Sequence, residues 1–298
     1  MKKFNLIISV ILIHSSLFAI NPEKKYILKP EWYNIIYEEI SFATSDGYKL
    51  KGWFYPAQDS SKLLLTCDTT LCYKNYKEVD DVQKPTIIIC DGDAKNMSWL
   101  LWYAKQLVVK GFNVFTFDWR GFGESDNWST ERNYLSYSEF LLDYDAAVDY
   151  VKSRNEVDTS KIGVFGFSTG AYLSFAIAAK RNDISAFAGR ALMTSFNDIL
   201  PILKKLTPDR NLIAPPNYPS ELEPINAAEK TNIPVFLIVG EKDNRTPIWM
   251  SEKIKSKIKS YCELWVVPNA EHGGVNSPEW AATEEFFNRL SLFFKQYL

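Results

Sequence analysis

The chain has 298 residues, with 34 basic and 36 acidic side chains and a formal net charge of −2. This near balance, without a long run of like charges, argues against a nucleic-acid-binding protein, which usually carries a basic stripe. The length suits one large domain or two modest ones, and a hydrophobic content of 46% is enough for a sizeable core.

Residues 1–20 have the pattern of a secretory signal peptide. Lys2 and Lys3 form a positive start, an apolar run follows over residues 4–13, and small residues up to Ala19 offer a cleavage site. The alternative is an uncleaved membrane anchor, although the run is short for a membrane span. We therefore expect an exported protein, periplasmic or secreted, with no stable membrane span once the leader is removed.

The chain after the leader predicts a hairpin followed by alternating strands and helices. The hairpin strands are Ile35–Ala43 and Tyr48–Tyr55, and a polar, irregular insertion follows over residues 56–84. Further strands are predicted at Thr86–Cys90, Phe112–Asp118, Ile162–Phe167, Ala191–Thr194, Ile233–Val239 and Leu264–Val267. Helices are predicted at Ser98–Lys110, Ser138–Ser153, Thr169–Lys180, Ile248–Ile258 and Pro278–Phe294.

This alternation predicts an α/β fold. Continuous apolar strands between amphipathic helices indicate a mostly parallel central sheet with helices on both faces, led by the antiparallel hairpin. The proline-rich residues 196–232 interrupt the alternation and are interpreted as a short cap insertion or an excursion over the sheet. Residues 21–298 then form a single domain, and its functional residues are expected at the carboxyl ends of the strands.

The most specific motif is the five-residue sequence Gly166-Phe167-Ser168-Thr169-Gly170, which matches G-x-S-x-G. The bare pattern is weak, but here it lies between a predicted strand and a predicted helix, as a nucleophile elbow requires. Such a turn holds the Ser168 hydroxyl at a helix N-terminus, which favours developing negative charge. Ser168 is therefore the predicted nucleophile.

A serine nucleophile needs a base and an acid that orients it. His14 lies in the predicted leader, so His272 is the only imidazole of the mature chain, and it follows a predicted strand. An isolated loop histidine is more often an exposed surface residue, but this position favours the role of base. Asp243 falls between nucleophile and base in chain order and is the predicted acid, with Glu241 and Asp198 as competing carboxylates.

The oxyanion hole requires backbone N–H groups aimed at the developing negative oxygen. One is expected from Thr169, directly after the nucleophile, and the other from Asp93, with Ala94 as the alternative. Three tryptophans follow the oxyanion and acid loops and are candidates for the wall of an acyl pocket, although helical tryptophans more often belong to the core: Trp99, Trp102 and Trp249.

The four cysteines indicate no metal site. Cys67 and Cys72 lie in the insertion and are candidates for a disulfide in an oxidising compartment. Cys90 and Cys262 border predicted strands and are interpreted as small core residues. The cysteine spacing matches no zinc motif and histidine is scarce, so neither a metal nor another cofactor is predicted.

The chain resembles the α/β-hydrolase fold superfamily from about Ile35 to its C-terminus. The segment Asp118-Trp-Arg-Gly-Phe-Gly-Glu-Ser125 is similar to one that follows the fourth strand in this superfamily. Residues 45–56 resemble the leading hairpin of its compact serine esterase and peptidase-like branches. The resemblance implies a catalytic triad with these members in the roles of nucleophile, acid and base: Ser168, Asp243 and His272.

One departure concerns the oxyanion loop. Many superfamily members have His-Gly where this chain has Asp91-Gly92. A carboxylate there would oppose the negative charge of the transition state unless it is paired or turned away. Lys95 or Arg120 is the cation that we expect to neutralise it.

These residues predict a serine hydrolase that cleaves carboxylic esters or thioesters of a small-molecule acyl substrate through an acyl-enzyme. The alternatives are an acyltransferase or a small-peptide or amide hydrolase with the same triad, and a non-catalytic binding protein on the hydrolase scaffold. Haloalkane dehalogenases and epoxide hydrolases are disfavoured, because those relatives have aspartate where Ser168 stands. The sequence leaves the acyl length and the oligomeric state open.

Overall fold

The computed structural model describes residues 19–58, 82–129 and 133–298, and a sheet of eight strands runs through them. The strands in chain order are β1 Glu38–Ala43, β2 Lys49–Tyr55, β3 Lys84–Cys90, β4 Asn113–Asp118, β5 Val157–Phe167, β6 Ala186–Arg190, β7 Val235–Gly240 and β8 Cys262–Val267. Their order across the sheet is β8-β7-β6-β5-β3-β4-β2-β1. Only β2 pairs antiparallel with its neighbours, and every other pairing in this sheet is parallel.

The described α-helices connect or follow these strands. They are α1 Leu101–Val108, α2 Phe140–Lys152, α3 Thr169–Lys180, α4 Phe196–Leu206, α5 Pro224–Ala227, α6 Ile248–Lys255, α7 Pro278–Ala281 and α8 Thr283–Tyr297. None of the helices in the described ranges has both the length and the apolar character that a bilayer crossing requires.

Two hydrophobic clusters cover the two faces of the sheet. One cluster contains apolar side chains of α2, α3 and α6, among them Phe140, Leu173 and Ile254. The other contains those of α1 and α8, such as Leu107 and Phe286. Burial of these apolar surfaces is the main source of stability. The predicted fold class, a mostly parallel sheet with helices on both faces and a leading hairpin, is therefore confirmed.

The predicted strand Ala191–Thr194 is wrong, because the strand β6 lies just before it. β6 reads Ala-Phe-Ala-Gly-Arg, and its Gly189 and Arg190 interrupt the apolar run that the sequence pattern required. Ala191 then adopts a positive φ of 57°, which ends the strand. The following chain turns into α4, where the Ser195 hydroxyl caps the helix by accepting from the amide of Asp198 at 3.1 Å.

The terminal helix differs from its prediction as well. A single helix over Pro278–Phe294 was expected, but the chain forms α7 and then α8, with Ala282 between them at φ −137° and ψ 49°. These dihedrals lie outside the helical region and interrupt the helix at Ala282. The cap prediction covers residues 196–232, where the structure has α4, short 3-10 turns and α5.

Two predictions fall wholly or partly on residues that the structure does not describe. These are the leader up to residue 18 and the 59–81 part of the insertion, which contains Cys67 and Cys72. Ala19 and Ile20, assigned to the leader, are described and lie buried in the first cluster. Cys90 is buried as expected, Cys262 is half-buried, and both are free thiols.

Candidate active site

Ser168 lies in a sharp turn between β5 and α3. Its backbone adopts φ 51° and ψ −119°, a combination that non-glycine residues rarely populate and that often marks a functional site. A Cβ at Gly166 would lie 2.5 Å from the Cα of Ala171, and one at Gly170 would overlap the carbonyl oxygen of Asp91. The two motif glycines therefore let strand, helix and neighbouring loop approach around the serine.

His272 lies in the loop after β8 and faces Ser168. Its Nε2 is 3.2 Å from the Ser168 Oγ, and its Nδ1 is 2.9 Å from Asp243 Oδ2. These distances allow Nδ1–H to donate to the carboxylate, which leaves Nε2 free to accept from the serine hydroxyl. The structure thus brings together the three residues predicted from the sequence, each from a different loop.

Asp243 is buried in the loop after β7 and is held by that loop's own groups. Its Oδ1 accepts from the backbone amides of Arg245 at 2.9 Å and Thr246 at 2.8 Å, and its Oδ2 accepts from the Thr246 hydroxyl at 2.7 Å. Burial opposes the charged form, but the hydrogen bonds and charge of His272 and the Thr246 donors outweigh it and lower the pKa of Asp243. The acid is therefore ionised and fixed in place at neutral pH.

Thr246 was not singled out in the sequence. Its hydroxyl lies 3.2 Å from His272 Nδ1, so it contacts both members of the acid–base pair. The signal that could have found it is the short spacing after Asp243, since aspartate often accepts from residues two and three positions further on.

The two competing carboxylates have other partners. Glu241 Oε2 accepts from the amide of Asn269 at 2.7 Å. Asp198 Oδ2 accepts from the Thr194 hydroxyl at 2.7 Å and pairs with Lys253 at 3.0 Å. Both support loops near the site, and of these three carboxylates only Asp243 is hydrogen-bonded to His272 within the described part of the chain.

The loop after β3 passes directly over the elbow. A Cβ at Gly92 would lie 3.8 Å from the Cβ of Ser168. The Gly92 amide donates to its neighbour's carboxylate, Asp91 Oδ1, at 2.7 Å. Because that N–H is already used, the next amide, that of Asp93, stays the candidate oxyanion donor. Thr169 is the first residue of α3, where N–H groups have no acceptor within the helix.

Asp91 has a perturbed acidity. Desolvation raises the pKa of its carboxyl to about 6, against the opposing effects of the Gly92 amide and the charges of Lys95 and Arg190. The expected role of Arg120 is wrong, because that side chain pairs with Asp46 at 2.6 Å and Asp143 at 2.7 Å instead. These cations cannot be separated by sequence pattern, since the choice depends on which strand ends meet.

The N-terminal segment after the predicted leader is a further part of the site that sequence reasoning missed. Asn21–Pro22 pairs in parallel with Ala94–Lys95. The amide of Asn21 donates to the carbonyl of Asp93 at 2.8 Å, and the Trp99 indole donates to Glu23 Oε2 at 2.7 Å. This segment, residues 21–26, is called the strap below, and it fixes the loop that carries the candidate oxyanion donor.

The three candidate pocket tryptophans have different environments. Trp99 is partly buried, with the Lys95 ammonium 3.8 Å from its ring centre. Trp102 stacks on Trp280 at 4.4 Å in the second hydrophobic cluster, so its ring contacts are with core and surface aromatics. Trp249, on α6 after the acid loop, is 41% exposed. No group of three or more metal-binding side chains occurs in the described part of the chain.

The sheet, its helices and the elbow after β5 define an α/β hydrolase, and the comparisons with known proteins agree. Residues 98–298 match the sequence profile of the prolyl oligopeptidase family, and the chain belongs to that family. Two curated relatives are similar to the chain over most of its length. The uncharacterised protein YfhR of Escherichia coli is 28% identical over 237 residues, which cover 79% of this chain and 73% of YfhR. The α/β hydrolase domain-containing protein WAV2 of Arabidopsis thaliana is 25% identical over 287 residues, covering 91% and 82%.

Among solved structures, the fold is similar to that of the Pyrococcus furiosus esterase Pf2001. The TM-score is 0.71 at 20% identity, and the match covers 95% of this chain and 99% of the esterase. A puromycin-hydrolysing peptidase of Mycobacterium tuberculosis matches with a TM-score of 0.68 at 14% identity, covering 89% of this chain and 40% of the peptidase. At these identities the likeness shows a shared fold.

Proposed function

We propose that this protein is an exported serine hydrolase that cleaves carboxylic esters or thioesters through a Ser168–His272–Asp243 triad. The single observation that carries the proposal is the continuous hydrogen-bond path across the three side chains, 3.2 Å from Ser168 Oγ to His272 Nε2 and 2.9 Å from His272 Nδ1 to Asp243 Oδ2. Such a path activates a serine that is otherwise a poor nucleophile.

The reaction proceeds in two halves. His272 Nε2 takes the hydroxyl proton as Ser168 Oγ attacks the acyl carbon, and the amides of Thr169 and Asp93 stabilise the resulting oxyanion. His272 returns the proton to the leaving alcohol or thiol, and an acyl-enzyme remains. Water then attacks the acyl-enzyme with His272 as base and releases the acid. Asp243 keeps the imidazole in the required tautomer and stabilises its charged form.

A second candidate is hydrolysis of short peptides or amides with the same triad. The observation in its favour is the membership in the prolyl oligopeptidase family. An amide is a harder substrate because its leaving nitrogen must be protonated, which assigns a larger role to His272 as general acid. An acyltransferase and a non-catalytic binding protein are the remaining alternatives.

A fluorophosphonate probe tests the nucleophile. We expect the wild-type protein to be labelled at Ser168, because the probe reacts with activated serines, and the Ser168→Ala variant to remain unlabelled. Intact mass after incubation measures the adduct. A wild-type protein that neither labels nor turns over any ester would favour the binding protein and contradict the proposal.

Asp243→Asn tests the acid of the triad, because asparagine keeps the shape of aspartate but removes its charge. Its kcat should fall by up to about 10⁴-fold, because the amide favours the wrong imidazole tautomer, while its melting temperature changes little. A panel of esters, thioesters and amides graded by acyl length, with and without an added alcohol acceptor, separates the hydrolase from the peptidase and acyltransferase alternatives by product.

We further propose that the leader within residues 1–20 directs export to the periplasm or the exterior. The support is its charge, apolar run and small residues. The uncleaved anchor is the alternative.

A further inference from the structure

Arg190 is a buried arginine at the carboxyl end of β6, next to the strand that carries the elbow. It is 2% exposed, and an arginine at this depth is costly to bury unless its charge and donors are satisfied. The triad mechanism assigns no role to this residue. Its contacts, however, go to the backbone of both the proposed nucleophile and the proposed base.

The main chain of Arg190 holds the elbow. Its carbonyl oxygen accepts from the amide of Ser168 at 2.9 Å. This hydrogen bond lies at the point where β5 ends and the strained turn begins, so it constrains the backbone from which the nucleophile projects.

The side chain of Arg190 holds the base. Its Nη1 donates to the carbonyl oxygen of His272 at 2.7 Å, and its Nη2 pairs with Glu279 Oε1 at 3.1 Å. The guanidinium carbon lies 3.6 Å from the ring centre of Phe167, whose ring is in turn 5.4 Å from the imidazole. One side chain thus contacts the loop of the base, the start of α7 and the residue before the nucleophile.

The loop of His272 needs such an anchor. His272 is followed by Gly273 and Gly274, and Gly274 has a φ of 75°. Glycines place few limits on the backbone, while the imidazole must stay within hydrogen-bond distance of two partners on other loops. A displacement of about 1 Å in an active site can cost roughly 100-fold in rate. A charge-assisted donor to the His272 carbonyl is stronger than a neutral one and limits this displacement.

We propose that Arg190 is a positioning residue that sets the distance between Ser168 and His272 by bonding the backbone of each. The expected effect on kcat rests on the proposed function. The expected effect on structure, that Arg190 keeps His272 against Asp243, can be measured without any substrate.

The central experiment uses the full chain and the double variant Arg190→Met/Glu279→Gln. Removing both charges avoids leaving an unpaired buried carboxylate. We expect kcat to fall by about 10- to 100-fold, with KM changed much less because the lost contacts position the reacting groups. Arg190→Lys should give an intermediate kcat, because lysine keeps the charge but lacks the fork that reaches two acceptors.

The second readout follows His272 directly. The chain has two histidines, so protein labelled with ¹⁵N-histidine gives two imidazole signals, and His272→Gln identifies which belongs to His272. In the wild type we expect a protected Nδ1 proton on His272, because Nδ1 faces Asp243. In the double variant that proton should exchange faster with water, or its NMR signal should disappear.

The matched control is Arg154→Met. Arg154 also stacks on a phenylalanine, Phe54 at 3.9 Å, and pairs with two glutamates, Glu38 and Glu156, and these partners are not members of the proposed triad. Its loss should lower the melting temperature without changing the His272 signal or the kcat.

Two results would overturn the inference. One is a folded double variant with wild-type kcat and an unchanged His272 Nδ1 proton. If the double variant does not fold, Arg190→Lys decides, and an unchanged His272 signal in that variant overturns the inference. A wild-type protein without turnover would instead refute the proposed function, and the histidine signal would still test the role of Arg190.

Discussion

Asp91 is the residue whose chemistry fits an oxyanion site least well. Its carboxyl lies in the loop that covers Ser168, and desolvation raises its pKa to about 6. Lys95 and Arg190 favour its charged form, and Asp93 opposes it. Between about pH 5 and 7 the group therefore changes from mostly neutral to mostly charged, next to the position where negative charge develops in the proposed reaction.

Asp91→Asn should stabilise the protein, and more so at pH 8 than at pH 5. Because the folded-state pKa is raised above the unfolded value, ionisation favours the unfolded state, and this cost grows between about pH 4 and pH 6 and is nearly constant above about pH 7. Removal of the cost is worth roughly 1–3 kcal/mol at pH 8. The amide oxygen can still accept from Gly92, so the loop is preserved. Urea unfolding at the two pH values measures the difference, and kcat at pH 8 should rise.

Asp158→Asn is the control for this prediction. The Ser160 hydroxyl and amide hold the pKa of Asp158 below its usual range, so ionisation favours the folded state there. Its replacement should bring no gain in stability that grows with pH. An equal free-energy change for Asp91→Asn at both pH values would mean that its pKa is not raised.

At the scale of elements, the strap and the loop after β3 form a unit that no single stretch of sequence specifies. Glu23 donates its amide to the Lys95 carbonyl at 3.1 Å, and the Tyr26 hydroxyl donates to Asp118 Oδ2 at 2.7 Å. The strap thus joins the ends of β3 and β4. The loop that carries the candidate oxyanion donor is therefore hydrogen-bonded to the strap and also lies against the elbow.

Asn21→Pro, made in the full-length chain where residue 21 is not the N-terminus, should lower kcat several-fold with little change in KM. Proline lacks the N–H that donates to the Asp93 carbonyl, and the lost hydrogen bond is worth about 1 kcal/mol. Asn21→Ala keeps the backbone donor and is the matched control. Steady-state kinetics on the best ester of the panel measures both. Equal kcat values for the two variants would show that the strap does not position the oxyanion loop.

The whole molecule is a sheet with a hydrophobic cluster on each face, and the candidate site lies where four adjacent strands end. β5, β6, β7 and β8 are neighbours in the sheet, so the loops or residues that follow them meet at one edge. The proposed nucleophile, acid and base and the positioning residue Arg190 come from these four strand ends. Packing of the two clusters against the sheet fixes the relative positions of these strand ends. The same packing therefore positions the residues of the candidate site.

Export should remove the leader from the whole chain. We expect the intact mass of exported protein to correspond to a chain that begins between Ala19 and Asn21, since the strap contacts start at Asn21. A mass that includes Met1 would favour the uncleaved anchor. A chain that begins well after Asn21 would lack the strap and contradict its proposed place in the site. The control is the variant Lys2→Glu/Lys3→Glu, whose leader is inactivated. It should stay in the cytoplasm with a mass that still includes the leader.

The sequence alone determined the elbow, the alternation of strands and helices, and the order of the proposed triad. These are local signals, because apolar periodicity and a glycine-serine-glycine turn depend on residues close together in the chain. The same locality explains why the prediction misplaced β6. Gly189 and Arg190 weaken the apolar run there, so the strand is recognised only from its pairing with the neighbouring strands.

Only the tertiary structure decided the partners of Asp91, the place of the strap and the contacts of Arg190. The Arg190 guanidinium and the His272 carbonyl are 82 positions apart in sequence, and Trp99 and Glu23 are 76 apart. Such pairs leave no periodic trace, since each residue alone resembles an ordinary surface charge or core aromatic. They are set by which strand ends adjoin in the sheet, and that depends on packing across the whole molecule.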